Sequence, residues 1–163
     1  MRVFIENEAG SRRKSTYDER TLRLLNTADV SAAYPYPYGF VIGTMSGDGD
    51  AVDCFVITDQ PLRAGSTVEC EAIGLLEQVE DGEIDHKVLA AIAGTRTQVN
   101  TATLATLKDF IANVFAHVTD KTMVIGQLLS CEVAQGYLRE CRRRRSTHET
   151  QSHKTGWTTV RHR

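Results

Sequence analysis

The hydrophobic pattern of this 163-residue chain changes period near residue 100, and that change limits the fold more than any other feature. Before it, apolar residues come in short runs bounded by turn formers: Arg2 to Glu6, Val41 to Gly43, Val52 to Thr58, Thr67 to Leu76 and His86 to Ile92. Runs of this length punctuated by Gly, Pro and Asp read as strands. The stretch Gly10 to Lys14 reads as a turn leading into a hairpin, and Leu22 to Leu25 is a further short apolar piece. Tyr34 to Phe40 is expected to be irregular, because Pro35 and Pro37 each fix φ and remove a donor. Beyond residue 100, Leu104, Leu107, Ile111, Val114, Phe115 and Val118 recur at three- and four-residue intervals, which predicts an amphipathic helix capped by Asn100 or Thr101. Met123 to Leu129 predicts one more strand. A second helix is expected from Ser130 into an arginine run, with Val133, Tyr137, Leu138 and Cys141 on one face. Many short strands followed by helices predict a mainly β fold, an OB-like five-stranded closed barrel with flanking α-helices.

Hydrophobic content of 41% suffices for one core, while 25% charged residues and apolar runs no longer than that at Val88 to Ala93 exclude a bilayer-spanning helix. Met1 to Gly10 carries Glu6 and Glu8 with no apolar stretch, so no secretory signal is read and a cytoplasmic protein is expected. Cys54, Cys70, Cys131 and Cys141 form no CxxC pair and read as free thiols. His86, His117, His148, His153 and His162 form no ligand pair and read as structural or exposed. Charge is unevenly divided: residues 1–136 hold eleven basic against nineteen acidic side chains, residues 137–163 eight against two. The basic run Arg142 to Arg145, with Lys154, Arg161 and Arg163, reads as a solvated terminus, or as a segment that folds back on the acidic body of a neighbouring subunit. Trp157 is the sole aromatic after Tyr137, too little for base stacking, so nucleic acid is not an expected partner.

The densest chemistry is Gly47-Asp48-Gly49-Asp50-Ala51-Val52-Asp53. Three carboxylates interleaved with two glycines can converge on a hard divalent cation, Mg²⁺ or Mn²⁺, which prefers oxygen ligands. The twelve-position EF-hand loop with its final Glu is absent. A second acidic group, Glu80, Asp81, Glu83 and Asp85, precedes Lys87. If folding joins the two clusters, they hold enough carboxylates for more than one metal, the arrangement that clamps phosphate oxygens and activates a water.

Tyr34-Pro35-Tyr36-Pro37-Tyr38-Gly39-Phe40 followed by Asp48-Gly49-Asp50-Ala51-Val52-Asp53 resembles the family I soluble inorganic pyrophosphatases, whose pattern is YPxNYGF and then DGDPxD. The resemblance runs through Pro61 to Ser66 and Ile73 to Leu76 to Asp85-His86-Lys87, and Ile5-Glu6 with Gly10 to Lys14 matches the family's N-terminal segment. It implies a Mg²⁺-dependent hydrolase (Mn²⁺ being the alternative ion) that cuts pyrophosphate into two phosphates. Asp50 would activate the attacking water, Asp48, Asp53, Glu80 and Asp85 would bind metal, and Lys14, Tyr38 and Lys87 would hold substrate. Glu6 and Tyr34 would stand in the outer shell, and Glu80 replaces the usual Asp with a longer stem. The resemblance also implies a homo-oligomer, a hexamer in bacterial members. The chain accordingly divides into a pyrophosphatase-like barrel with its first helix, residues 1–136, and a basic C-terminal extension, residues 137–163.

The departures are uneven. Thr16 takes the place of a family glutamate, Asn26 of a phosphate-holding arginine, Pro37 of an asparagine, and Val118-Thr119 of a Tyr-Lys pair. Lys121 is the candidate substitute for the lost cation, and Arg12 and Arg13 read as exposed turn residues. Metal carboxylates are kept while groups for the far phosphate are thinned. The alternatives are therefore a non-catalytic relative that binds metal or phosphate, or a hydrolase of a different phosphoanhydride.

Overall fold

The computed structural model describes residues 1–155, with side chains described through residue 152. Trp157, Arg161, His162 and Arg163, together with the His153 and Lys154 side chains, lie outside these. The elements are β1 (Arg2–Asn7), β2 (Arg13–Tyr17), β3 (Leu24–Asp29), β4 (Tyr38–Val41), β5 (Asp53–Val56), β6 (Thr67–Glu80), β7 (Glu83–Ile84), β8 (Lys87–Ile92), α1 (Thr101–Asn113), β9 (Met123–Leu129) and α2 (Cys131–Thr155).

The fold is mainly β with two helices. β1, β4, β5, β8 and β6 follow one another by hydrogen bonding, and β6 pairs back with β1, so five strands close a ring. Closure depends on the length of β6, whose start meets β1, whose middle meets β8 and whose end meets β7 and β9. A register shift between Ala72 and Gly74 accompanies its passage around the ring, as bulges do where strands bend. Gly39 lets β4 approach β1: a Cβ there would stand 1.8 Å from the Phe4 carbonyl oxygen. The β2–β3 hairpin forms a separate two-stranded sheet.

Alternation along the ring strands sends side chains to two cores. Cys54, Val56, Leu75, Val88 and Ala90 pack with Ala134, Leu138 and Cys141 of α2. Their neighbours Phe55, Leu76 and Leu89 pack with Leu107, Phe110 and Ile111 of α1. Asn100 caps α1, its side-chain oxygen accepting from the Thr103 N–H at 2.8 Å.

Several expectations shift. Phe110 joins the buried face of α1, whereas Val118 lies beyond the helix and is exposed. In α2 the buried stripe is Ala134, Leu138 and Cys141, and Val133 faces outward. Residues 136 and 137 both lie within α2, which runs through Arg142 to Arg145 as expected, but Arg144 and Arg145 are partly buried rather than solvated. All four cysteines are free. Among the described residues no helix is long and apolar enough to cross a membrane.

Candidate active site

The parallel register of β5 and β8 sets Cys54 beside Val88, so the residues just before them, Asp53 and Lys87, are brought together at one end of the ring. The Lys87 ammonium contacts the Asp53 carboxylate and lies 2.7 Å from Asp85 Oδ2. Lys87 is buried, and an ammonium taken from water stays charged only with such partners. Burial alone would raise the Asp53 carboxyl, yet the Lys87 charge and hydrogen bonds from Lys87 and Tyr38 outweigh it and hold Asp53 below the ordinary range. Asp85 behaves in the opposite way: burial, helped by nearby Asp53, pushes it up to about 7 against the pull of Lys87.

Above this floor runs the loop between β4 and β5. Ser46 Oγ donates to Asp48, the Asp50 N–H donates to Asp48 Oδ1 at 3.0 Å, and the Ser46 N–H donates to the Asp50 carbonyl at 2.7 Å. Gly49 supplies the left-handed φ of +95° that the turn needs. Asp48 and Asp50 are both exposed, and both line the cleft. Partial burial and then the charges of Asp48 and Asp53 raise Asp50 above the ordinary carboxylate range. Glu19 accepts from the Ala51 N–H at 2.8 Å and ties the loop to the β2–β3 hairpin.

The third wall comes from β6 and the segment after α1. Gln78 donates to Asp85 Oδ2 at 3.1 Å, and its own Oε1 is buried without a hydrogen-bond partner among the described residues. Glu80 is paired with Lys121, whose ammonium stands 4.4 Å from the Phe115 ring centroid; the Lys14 ammonium lies 5.0 Å from the same centroid. Glu6, buried, accepts from the Tyr17 N–H at 3.1 Å and is pushed by burial up to about 7.

A cleft of about 1250 Å³ results, and every residue expected in the site lines it: Lys14, Tyr38, Asp48, Asp50, Asp53, Glu80, Asp85 and Lys87, with Glu6 and Tyr34 beside them. Thr16 also lines it, while Asn26, Val118 and Thr119 do not; on β3 it is Leu25 that reaches the cleft. Lys121 does not line the cleft itself but meets two residues that do, Glu80 and Phe115. Arg12 and Arg13 are exposed, as expected. Glu19, Gln78, Arg145, His148 and Glu149 line the cleft without having been singled out as site residues. For the last three the signal lay in helical spacing, since residues 134, 138, 141, 145, 148, 149 and 152 share one face of α2.

Among the described residues no three His, Cys, Asp or Glu side chains stand close enough for a preassembled metal cluster. Asp53 and Asp85 instead converge on the Lys87 ammonium. The donors are nevertheless all oxygen, and Asp48, Asp50, Asp53, Glu80 and Asp85 face one space beside an unpartnered buried carbonyl, a donor set that suits a hard divalent cation.

Comparison with known proteins agrees with this picture. The chain matches inorganic pyrophosphatases of Mycoplasma genitalium, 39% identical over 92 residues (55% of this chain and 50% of that one), and of Synechocystis sp., 38% identical over 95 residues (57% and 56%). It thus spans about half the length of the curated relatives it matches. Among solved structures, the inorganic pyrophosphatase of Helicobacter pylori superposes with a TM-score of 0.82 at 25% identity, covering 90% of this chain and 93% of that one. The Thermus thermophilus enzyme, at 23% identity and a TM-score of 0.82, covering 90% and 91%, shares the fold. The family model described as inorganic pyrophosphatase matches residues 3–144, most of the chain and all of the cleft's strands, and the chain belongs to that family.

Proposed function

We propose that this protein hydrolyses inorganic pyrophosphate to two phosphates, with Mg²⁺ as the cation and Mn²⁺ as its alternative. The observation that carries the reading is the convergence of the Asp48–Asp50 loop on the Lys87-bridged pair of Asp53 and Asp85. Divalent cations held by Asp48, Asp53, Glu80 and Asp85 would neutralise phosphate oxygens and make a water more acidic. Lys14, with no carboxylate bound to its ammonium among the described residues, binds substrate oxygens from one wall, and Tyr38 and Lys87 face them from the floor while fixing Asp53. Asp50 accepts a proton from the attacking water, which adds to one phosphorus as the bond to the bridging oxygen breaks and the second phosphate departs. Its raised proton affinity suits it to this better than an ordinary aspartate. By family resemblance the protein works in the cytoplasm as a homo-oligomer.

The test is phosphate release from pyrophosphate with Mg²⁺. Asp50→Asn is expected to lower kcat about a hundredfold or more while the variant still binds Mg²⁺. A wild-type protein that binds Mg²⁺ without releasing phosphate from pyrophosphate overturns the reading; release from another phosphoanhydride only would redirect it.

A further inference from the structure

We propose that Arg145, on the basic stretch of α2, is a substrate-binding residue of this cleft and takes hold of a terminal phosphoryl group of the pyrophosphate. The inference rests on the proposed substrate and adds to it a residue from an element outside the sequence motifs.

The helix is built to place it. Over the ring, the inward stripe of α2 is apolar and buried, with Ala134, Leu138 and Cys141. One turn further the same stripe continues as Arg145, His148, Glu149 and Ser152, and these line the cleft. A surface stripe that turns from apolar to polar where it leaves the core and overhangs a cavity is facing that cavity. Two bonds lock the register: the Met45 N–H donates to the Cys141 carbonyl at 3.0 Å, and Arg144 Nη1 donates to the Met45 carbonyl at 3.1 Å. Met45 stands three residues before Asp48, so the helix is tied to the acidic loop itself.

The charge inventory shows what the guanidinium is for. Lys87 is engaged by Asp53 and Asp85, and Lys121 by Glu80. Arg20, at the turn of the β2–β3 hairpin, also lines the cleft but is exposed and stands beside Asp18. Lys14 sits against the Phe115 ring. Arg145 is partly buried, and its charge is felt at Glu19, the residue that pins the loop at Ala51. Glu149 takes its Nε at 2.6 Å, and among the described residues no partner takes the two terminal nitrogens. A guanidinium oriented through Nε and open at its fork is in the state to bind two oxygens of one phosphoryl group. Asn26, where the resemblance places an arginine, does not line the cleft, and its neighbour Leu25 does. The partly buried guanidinium is thus supplied from α2.

Binding of the Mg²⁺ complex of methylenediphosphonate, a non-hydrolysable analogue, is measured by calorimetry alongside steady-state hydrolysis of pyrophosphate. Arg145→Ala is expected to weaken analogue binding about tenfold and raise KM to match, with kcat changed less; Arg145→Lys recovers part of the loss. Glu149→Gln separates a binding role from a structural one. It removes the ion pair's charge but leaves an amide oxygen to accept from Nε and keep the fork oriented, so binding is retained, whereas a helix-stabilising role makes it weaken as Arg145→Ala does. Analogue affinity unchanged in Arg145→Ala, or equally weakened in Glu149→Gln, overturns the inference while hydrolysis by the wild type leaves the proposed function standing. Conversely, an Arg145-dependent affinity in a wild type that releases no phosphate sustains the inference and removes the proposed reaction.

Discussion

Buried charge is what the individual residues of this cleft must accommodate, and Glu6 shows it in measurable form. It is 8% exposed and receives one backbone hydrogen bond, from Tyr17, while Lys14 favours its charge and Asp53 and Glu19 oppose it. Burial is the largest effect and lifts the carboxyl from 4.5 to about 7. Between those values the unfolded chain has released a proton that the folded chain keeps. Stability is therefore lost as pH rises from about 4.5 to about 7 and is level above. Glu6→Gln, which keeps an acceptor for the Tyr17 N–H, is expected to stabilise the metal-free protein by roughly 2 to 3 kcal/mol at pH 8 and by nothing near pH 4. Urea unfolding at the two pH values checks this, and an equal effect at both would show that the carboxylate is not the source. Lys87 is the complementary case, a buried cation retained because two carboxylates meet it.

At the scale of elements, α2 does two jobs with one stripe. Its first half completes the core that lies against Cys54, Leu75 and Val88, and its second half reaches the cleft. Leu138 is 2% exposed, so Leu138→Ala removes buried methyl groups and leaves a cavity, with an expected cost of about 3 kcal/mol. Because Arg145 lies seven residues along the same face, the KM for pyrophosphate should rise in this variant too. Denaturant titration and steady-state kinetics on the one protein test the coupling, and a destabilised variant with unaltered KM would separate the two halves of the helix. The β2–β3 hairpin is the contrasting element, a small sheet outside the ring whose Leu24 and Leu25 are exposed and whose Lys14 projects to the cleft.

For the molecule as a whole, the closed ring brings carboxylates from three separate stretches to one end, where their mutual repulsion opposes folding. A divalent cation that binds only the folded form offsets this. Mg²⁺ at a hundredfold excess over its dissociation constant is expected to stabilise the protein by about 3 kcal/mol, read as a higher unfolding midpoint that falls again with chelator. No shift on adding Mg²⁺ or Mn²⁺ would count against a metal in this cleft.

Much of this was legible before folding, and the reason is local. Strand and helix periods, the Asn100 cap and the Asp48–Asp53 motif depend on neighbours within a few residues, so the β1, β8 and β9 segments, the axis of α1 and the acidic residues of the cleft could all be read from the chain. Other features depend on distant partners and could not. The stripe of α2 that faces inward was set by the ring it docks on, which turned Val133 out and Ala134 in. Leu25 rather than Asn26 reached the cleft because the hairpin's register shifts between Thr16 and Tyr17. Arg145, in an arginine run that reads as a solvated tail by composition, became part of the cleft wall because Met45 and Cys141, 96 positions apart in the chain, share a hydrogen bond. Periodicity fixes what a segment is; long-range packing decides what it faces, and charge acquires a function only through what it faces.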